Sequence, residues 1–190
     1  MNRKYELKER ARRQAETRQR IVEATVELHT SIGPARTTIS AVAAKAGVER
    51  HTVYAHFPDE RRLFEACTAH WAARHPFPDP RAWTDVDGGE ARLRAALLAL
   101  YGWYEDVEPE LAIFRRDAQV HELNAEVIAE DDRKLAELAD ALARDWPRRK
   151  AVRAAVGHAL EFETWRSLAR RQGLSRRQAV DAMTQLVLAA

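Results

Sequence analysis

Apolar residues recur at helical spacing in two short groups on either side of a single glycine. They are Ile39, Val42, Ala43 and Ala46 before the glycine, then Val53 and Phe57 after it. This spacing predicts two short helices, each with one apolar face. Thr38 stands directly before the first group, where its hydroxyl can cap the helix, and Gly47 stands where a left-handed residue would end that helix. The pattern therefore predicts a helix-turn-helix, with Val48 filling the turn.

The second of these helices has a polar surface that is rich in hydrogen-bond donors. Its outward positions carry no carboxylate and consist of Arg50, His51, Thr52, Tyr54 and His56. In a DNA-binding helix-turn-helix, the second helix lies in the major groove and its first residues contact base edges. An amphipathic helix pair inside an ordinary bundle would show the same apolar pattern, but it would not account for the donor-rich surface.

Several residues of this segment stand at spacings found in the TetR family of one-component regulators. The matching positions are Thr37-Thr38-Ile39, Ala43, Ala46-Gly47-Val48, Thr52-Val53-Tyr54 and His56-Phe57. The segment therefore resembles the DNA-binding domain of that family, which has a lysine three residues after the phenylalanine. This chain departs from the family there, because Glu60 replaces the lysine and is followed by Arg61 and Arg62. The resemblance implies DNA contacts by Thr38, Arg50, His51, Thr52, Tyr54, His56 and Arg61.

The rest of the chain shows helical periodicity and no strand pattern, so we expect an all-α fold. The predicted helices cover about 15–31, 59–75, 90–106, 109–118, 120–145 and 148–171, with a last helix after Ser175. A loop is expected over 75–89, and Pro147 is expected to end a helix. We assign residues 1–58 to a helix-turn-helix DNA-binding domain. Residues 59–190 form a helical domain, which the resemblance assigns to ligand binding and dimerisation.

The charge is distributed unevenly along the chain. The formal net charge is +2, but residues 1–62 hold 13 Lys and Arg against 8 Asp and Glu, and residues 63–190 hold 18 against 21. The basic end coincides with the helix-turn-helix, as binding to the phosphates of DNA requires. Residues 1–13 are the most basic stretch. They form either a frayed helical arm that orders on DNA or a solvated tail.

The segment 148–171 is apolar on two sides, which predicts a helix with two packing partners. The last helix begins with a capping box formed by Ser175 and Gln178. A helical hairpin with this much apolar surface resembles the dimer interface of the family, in which two hairpins form a four-helix bundle. The residues assigned to a homodimer interface are Ala155, His158, Phe162, Trp165, Met183, Leu186 and Val187.

Two polar residues, Asn124 and Asp131, fall on the apolar stripe of one long helix. Polar groups on a core-facing stripe must be paired, solvated in a cavity or available to a ligand. Each of the two either bonds a neighbouring side chain or lines the effector pocket that the resemblance implies. In the second case Trp71, Trp103 and Phe114 are the apolar walls. A carboxylate among aromatic rings would suit a hydrophobic, cationic effector.

The sequence contains no pattern that indicates catalysis, a metal site or a cofactor. It has no nucleophile elbow, phosphate-binding glycine loop, His-Glu-x-x-His motif or clustered Cys and His ligands. Cys67 is the only cysteine, so no intramolecular disulfide is expected, and its expected role is that of a small buried hydrophobe. No apolar run is long enough to span a membrane and no signal sequence is evident, so we expect a cytoplasmic protein.

These observations favour a transcription regulator over an enzyme. The resemblance implies a repressor that binds a palindromic operator as a homodimer and is released when a small molecule binds the C-terminal domain. An activator and a ligand-independent DNA-binding protein are the alternatives within the same class. A small helical enzyme or carrier would need an acid–base pair or a metal site, and the sequence shows neither.

Overall fold

The computed structural model describes residues 3–144, 146 and 149–190. Pro147, at which the sequence predicts a helix end, lies outside these residues. The helices are α1 (Arg3–Ser31), α2 (Ile39–Ala46), α3 (Arg50–His56), α4 (Glu60–Arg74), α5 (Arg81–Thr84), α6 (Gly89–Asp117), α7 (Glu122–Leu142), α8 (Arg149–Leu160), α9 (Phe162–Arg166) and α10 (Arg176–Leu188). A 3-10 turn covers Pro34–Arg36 and a π-helical turn covers Ser167–Arg171. No strand occurs in the described residues, which confirms the predicted all-α fold.

The chain divides into two compact units. The first comprises Met1–Pro76 with Pro109–Glu126, and the second comprises Phe77–Glu108 with Val127–Ala190. This division differs from the domain boundary at residue 58 that the sequence led us to expect. The reason is that α4 packs against α1, with Leu63 buried in the same core as the helix-turn-helix.

The core of the first unit is formed by α1, α2, α3 and α4. Its most buried side chains come from the apolar positions of the sequence pattern and include Ile21, Val22, Ala24, Val42, Ala43, Val53, Phe57, Leu63 and Cys67. Full burial of a valine, isoleucine or phenylalanine side chain contributes about 1.5–3 kcal/mol to stability. Val53 and Phe57 therefore hold α3 to this unit by one face and leave its opposite face to solvent.

The core of the second unit contains an aromatic cluster on α6 and α9. Tyr104 packs on Phe162 and Trp165, with ring centroids 5.3 and 5.6 Å apart. Trp83 of α5 is also buried, with 2% of its surface exposed. That burial explains why the stretch predicted as a loop contains a short helix, since the helix places one large apolar side chain out of water.

The two helices predicted over 90–106 and 109–118 form one continuous helix, α6, which contains Pro109. A proline inside a helix lacks the N–H for one backbone hydrogen bond. The neighbouring residues Val107 and Leu111 are buried, with 0% and 7% of their surfaces exposed. Because both neighbours are packed, the helix continues through the position of the missing bond.

The long C-terminal helix predicted from the sequence is interrupted at Glu161, where the backbone is extended. The interruption leaves carbonyl oxygens at the end of α8 without their usual helical donors. The hydroxyl groups of two tyrosines on α6 replace those donors. Tyr101 donates to Ala159 at 2.8 Å and Tyr104 donates to Leu160 at 2.7 Å, in both cases to the carbonyl oxygen. The break is therefore stabilised by residues that lie far away in the sequence.

Candidate DNA-binding interface

The turn between α2 and α3 has the geometry that its sequence predicts. The side chain of Thr38 caps α2, and its Oγ1 accepts a hydrogen bond from the backbone N–H of Ala41 (3.2 Å). Gly47 is left-handed, with φ 65° and ψ 42°, and the N–H of Val48 donates to the carbonyl oxygen of Ala43 (3.0 Å). A residue with a side chain would be strained at the glycine position, so glycine maintains the tight turn.

Helix α3 presents the predicted DNA-binding surface to solvent. Arg50, His51 and Tyr54 are exposed, and Tyr54 retains 47% of its accessible surface. Thr52 and His56 are half-buried. The structure therefore brings these five side chains together outside the core of the first unit. Guanidinium, imidazole and hydroxyl groups are the donors that pair with phosphate oxygens and base edges.

Arg61 lies at the start of α4, but its guanidinium group is bound within the protein. Its Nη1 and Nη2 donate to the two carboxylate oxygens of Glu126 at 2.7 and 3.0 Å. These hydrogen bonds, together with the opposite charges, lower the pKa of Glu126 and raise the pKa of Arg61. The assignment of Arg61 to DNA is therefore corrected, because this bidentate pair already uses the donor edge that a phosphate would need.

Glu60, which replaces the lysine of the family, also has a partner in the first unit. Its Oε1 lies 3.3 Å from Nε2 of His121. Nδ1 of the same ring accepts from the backbone N–H of Asn124 (3.2 Å), so a neutral imidazole carries its proton on Nε2, next to the carboxylate. The ring also stacks on Phe64, with centroids 5.4 Å apart. The first turn of α4 is thus bound to the start of α7.

Asp117 is a buried carboxylate that no pattern in the sequence singles out. It is 3% exposed and accepts hydrogen bonds from the N–H of Ala35 (3.0 Å) and from Nε of Arg116 (2.7 Å). Burial alone would raise the pKa of Asp117, but these hydrogen bonds and nearby positive charge outweigh it and lower the pKa. Gly33, with φ 98°, lies so close that a Cβ would collide with this carboxylate. The contact fixes the turn that leads into Thr38.

The core of the first unit holds a histidine in contact with the chain's one cysteine. Nδ1 of His29 lies 3.4 Å from Sγ of Cys67. Burial lowers the pKa of His29 to about 4 and raises the pKa of Cys67 to about 12. Both side chains are therefore uncharged at neutral pH, and the thiol is unreactive. The prediction that Cys67 is a small buried hydrophobe is confirmed.

The residues predicted to line an effector pocket have different surroundings. In the first unit, Trp71 and Phe114 are in edge-to-face contact, with ring centroids 5.4 Å apart. Asn124 is buried and donates through Nδ2 to the carbonyl oxygen of Phe114 (2.6 Å). In the second unit, the ring of Trp103 packs edge-on against Phe77 at 5.4 Å. The amide of Asn124 thus has a partner within the protein, which is a backbone carbonyl and not a side chain.

Asp131 does not lie on a buried face, so this part of the prediction is corrected. Half of its side chain is exposed, and Oδ1 is 3.2 Å from Nζ of Lys134. The physical reason is that the apolar stripe of α7 is incompletely covered at this point. Val127, Leu135 and Leu138 on the same stripe are only half-buried. A carboxylate at such a position remains solvated and does not need a ligand.

Three residues assigned to the dimer interface are buried within the chain itself. Phe162, Trp165 and Val187 are 1%, 0% and 1% exposed, so they offer no surface to a partner. The interruption at Glu161 is the reason for two of them, because it places α9 against Tyr104 of α6. The other candidates are exposed or half-buried on the mutually packed helices α8 and α10, namely Ala155, His158, Met183 and Leu186.

The described residues contain no group of three or more His, Cys, Asp or Glu side chains that could hold a metal ion. Across the same part of the chain, every helix is too short or too polar to cross a membrane. The chemistry that α3 offers is therefore hydrogen bonding and charge, which suits the recognition of a polar surface.

Comparison with known protein sequences gives matches that centre on this interface. Residues 21–67 match the family described as bacterial regulatory proteins, tetR family, and the match includes α2, the turn and α3. The HTH-type transcriptional regulator SrpR of Pseudomonas putida is 37% identical over 79 residues, which cover 37% of this chain and 36% of that regulator. The matched segment thus spans about a third of that relative's length.

Solved structures with a similar fold cover most of the chain. A TetR-like transcriptional regulator from Rhodococcus sp. RHA1 superposes with a TM-score of 0.64 at 22% identity, covering 90% of this chain and 93% of that one. The SmeT–triclosan complex has a TM-score of 0.60 at 16% identity and covers 92% of this chain and 90% of that one. At these identities the likeness shows a shared fold.

Proposed function

Because the chain belongs to the tetR family of bacterial regulatory proteins, we propose that it regulates transcription by binding a DNA operator through α2, the turn and α3. The observation that carries this proposal is the α3 surface, where donor-bearing side chains are exposed and the opposite face is packed in the core. The family is one of transcription regulators and not of enzymes, which removes the helical enzyme or carrier from the alternatives.

The first residues of α3 occupy the position that contacts base edges in a helix-turn-helix. Arg50 and His51 are exposed there and Thr52 is half-buried. A guanidinium group can donate two hydrogen bonds to O6 and N7 of guanine, which is the commonest specific contact in the major groove. We therefore assign base recognition to these three residues, with Arg50 as the main contributor.

We assign Thr38, Tyr54 and His56 to phosphate contacts. Oγ1 of Thr38 accepts a hydrogen bond from the N–H of Ala41, so its hydroxyl hydrogen remains available to a phosphate oxygen. Tyr54 presents its phenolic hydroxyl to solvent, and His56 lies near the end of the same helix. Contacts of this kind hold the protein on the duplex and carry no sequence information.

Two copies of the chain are proposed to bind one palindromic operator as a homodimer. The surface for this association lies on α8 and α10, where Ala155, His158, Met183 and Leu186 are at least partly exposed. Two-fold symmetry would place the α3 helices of the two copies on half-sites about 34–36 Å apart, which is one turn of DNA.

A small hydrophobic effector is proposed to release the protein from DNA. The similar SmeT protein forms a complex with triclosan, and in this chain Trp71 and Phe114 would supply an aromatic wall for such a ligand. A cationic effector is no longer favoured, because that expectation depended on a buried carboxylate at Asp131, which pairs with Lys134. The effector acts by binding the conformation of low DNA affinity more tightly, which shifts the population towards it.

Repression is the proposed sign of regulation, with activation and ligand-independent DNA binding as the alternatives. The same α3 surface serves all three. The position of the operator relative to its promoter separates a repressor from an activator, and release by a hydrophobic ligand separates both from a ligand-independent protein. Binding to the bacterial chromosome would place the chain in the cytoplasm.

Selection from a random-sequence duplex library tests the proposal. We expect the wild-type protein to enrich an inverted repeat, and Arg50→Ala/His51→Ala to fail to enrich it. Arg81→Ala removes an exposed arginine of the second unit and should enrich the wild-type sequence. Wild-type protein that enriches no common sequence would contradict the proposed function.

A further inference from the structure

Helix α1 extends far beyond the core of the first unit. It begins at Arg3, whereas the sequence predicts a start near Ala15, and its first buried residue is Ile21. The described side chains before that point, over 5–20, are all exposed or half-buried. The basic N-terminal segment is therefore a continuation of a core helix.

One stripe of α1 changes from apolar to polar along the helix. Ile21 and Ala24 are buried on this stripe, with 0% and 4% of their surfaces exposed. Residues three or four positions apart share a helix face, so the same stripe continues towards the N-terminus through Thr17, Gln14 and Arg10. Because the stripe becomes polar where the core ends, it is suited to a polar partner and not to another apolar helix.

This polar stripe forms one wall of an open cleft, and α3 forms the other. The cleft has a volume of about 480 Å³, and its walls include Arg10, Arg13, Gln14 and Thr17 of α1 and Thr52 and His56 of α3. The two α3 residues belong to the proposed DNA-binding surface. The cleft therefore starts at that surface and continues along α1.

The charges beside the cleft have one feature that permits a sharp test. Oε1 of Glu9 accepts hydrogen bonds from Nη2 of Arg12 (2.8 Å) and from Nε of Arg13 (3.2 Å). These hydrogen bonds lower the pKa of Glu9, so its carboxylate is ionised at neutral pH. One negative charge therefore restrains two guanidinium groups, while Arg10 lies exposed in the same cleft.

We propose that this cleft binds the sugar–phosphate backbone of the operator, so that residues 5–17 of α1 extend the DNA interface beyond α3. The proposal rests on the proposed function. Arginine, glutamine and threonine side chains on the α1 wall are hydrogen-bond donors, and phosphate oxygens are acceptors that occur at every step of the duplex. Such contacts raise affinity and its salt dependence for all sequences alike.

Removal of the cleft arginines is the first test. Arg10→Ala/Arg13→Ala should weaken binding to the duplex selected by the wild-type protein and to a random duplex by the same factor. For every phosphate that the variant no longer binds, the slope of log K against log salt should fall by about 0.9, or about tenfold in affinity at 0.1 M salt. The control Arg81→Ala/Arg133→Ala removes two exposed, ion-paired arginines of the second unit and should leave the slope unchanged.

A substitution of opposite sign is the second test. Glu9→Gln removes a negative charge from the cleft and releases Arg12 and Arg13, so it should strengthen DNA binding and steepen the salt dependence. The matched control is Glu130→Gln on α7, which also removes a carboxylate paired with two basic residues. That control should leave DNA binding unchanged. A structural role for Glu9 alone would not make the variant bind more tightly than wild type.

Neutral methylphosphonates, introduced at one phosphate of the selected duplex at a time, locate the contact. Some positions should weaken the wild-type protein and have no effect on Arg10→Ala/Arg13→Ala. If that variant binds like wild type, the cleft proposal is overturned while the proposed function stands. A loss confined to one base pair would also overturn it, because it would indicate base reading. A wild-type protein that selects no duplex at all would overturn the proposed function itself.

Discussion

Arg61 and Glu126 are joined by two hydrogen bonds, although 65 residues separate them in the chain. The pair lies in the first unit, next to the contact between Glu60 and His121. The family resemblance places a phosphate-binding lysine in this first turn of α4. In this chain the same turn is bound to the start of α7, so a contact within the protein takes the place of that contact to DNA.

Removal of the Arg61 side chain should therefore have little effect on DNA binding. We expect Arg61→Ala to change affinity by no more than about twofold, because a half-exposed ion pair contributes little and its guanidinium group is not on the DNA. Glu126→Gln should bind DNA slightly more tightly, since it releases Arg61 and removes a negative charge. Fluorescence anisotropy with the selected duplex measures both. A decrease for Arg61→Ala as large as that for Arg50→Ala would return Arg61 to the interface.

The helix-turn-helix could be predicted from the sequence because its determinants are local. The cap at Thr38, the left-handed Gly47 and the buried Val53 lie within one short segment, and each acts on its immediate neighbours. The ion pair of Arg61 and the burial of Asp117 depend on residues that are 65 and 82 positions away. No periodicity within a helix reports such partners.

The C-terminal helices show the same limit of local patterns. The spacing of apolar residues over 148–171 fits one uninterrupted helix, and it does not reveal that Tyr101 and Tyr104 supply donors to the carbonyl oxygens before Glu161. The break moves Phe162 and Trp165 into the core of their own chain, whereas a continuous helix would place both in the dimer interface. That part of the interface prediction is therefore wrong.

The stability of the first unit should decrease as the pH falls from about 6.5 to about 4. Burial, and then the charge of His121, lower the pKa of His29 to about 4, with Asp117 opposing the shift. An unfolded histidine has a pKa of about 6.5. In this interval the unfolded chain binds a proton that the folded chain excludes, so the free energy of unfolding falls, by up to about 3 kcal/mol.

Urea unfolding at pH 7 and pH 5 measures this dependence. His29→Leu should remove most of the pH dependence, because no titrating group would remain at that buried position. His51→Ala, on the exposed surface of α3, is the matched control and should retain it. Equal pH dependence in His29→Leu and wild type would assign the effect to other groups.

Glutamate substitutions should distinguish the core of the second unit from its surface. Trp165 is fully buried, so Trp165→Glu should place an unpaired charge in the core and lower the melting temperature strongly. Leu186 is 44% exposed, so Leu186→Glu should melt close to wild type but yield monomers. Light scattering and thermal unfolding measure the two effects. A Leu186→Glu protein that remains dimeric would move the interface away from this face of α10.

The central claim is that α3 recognises DNA sequence, and an equilibrium titration of Arg50→Ala tests it most directly. The selected duplex and duplexes changed at each guanine of one half-site are bound to wild type, to Arg50→Ala and to the control Arg81→Ala. We expect Arg50→Ala to lose about 1–3 kcal/mol on the selected duplex and to become indifferent to one guanine position, while Arg81→Ala behaves like wild type. An Arg50→Ala protein with wild-type affinity and wild-type discrimination at every position would contradict the claim.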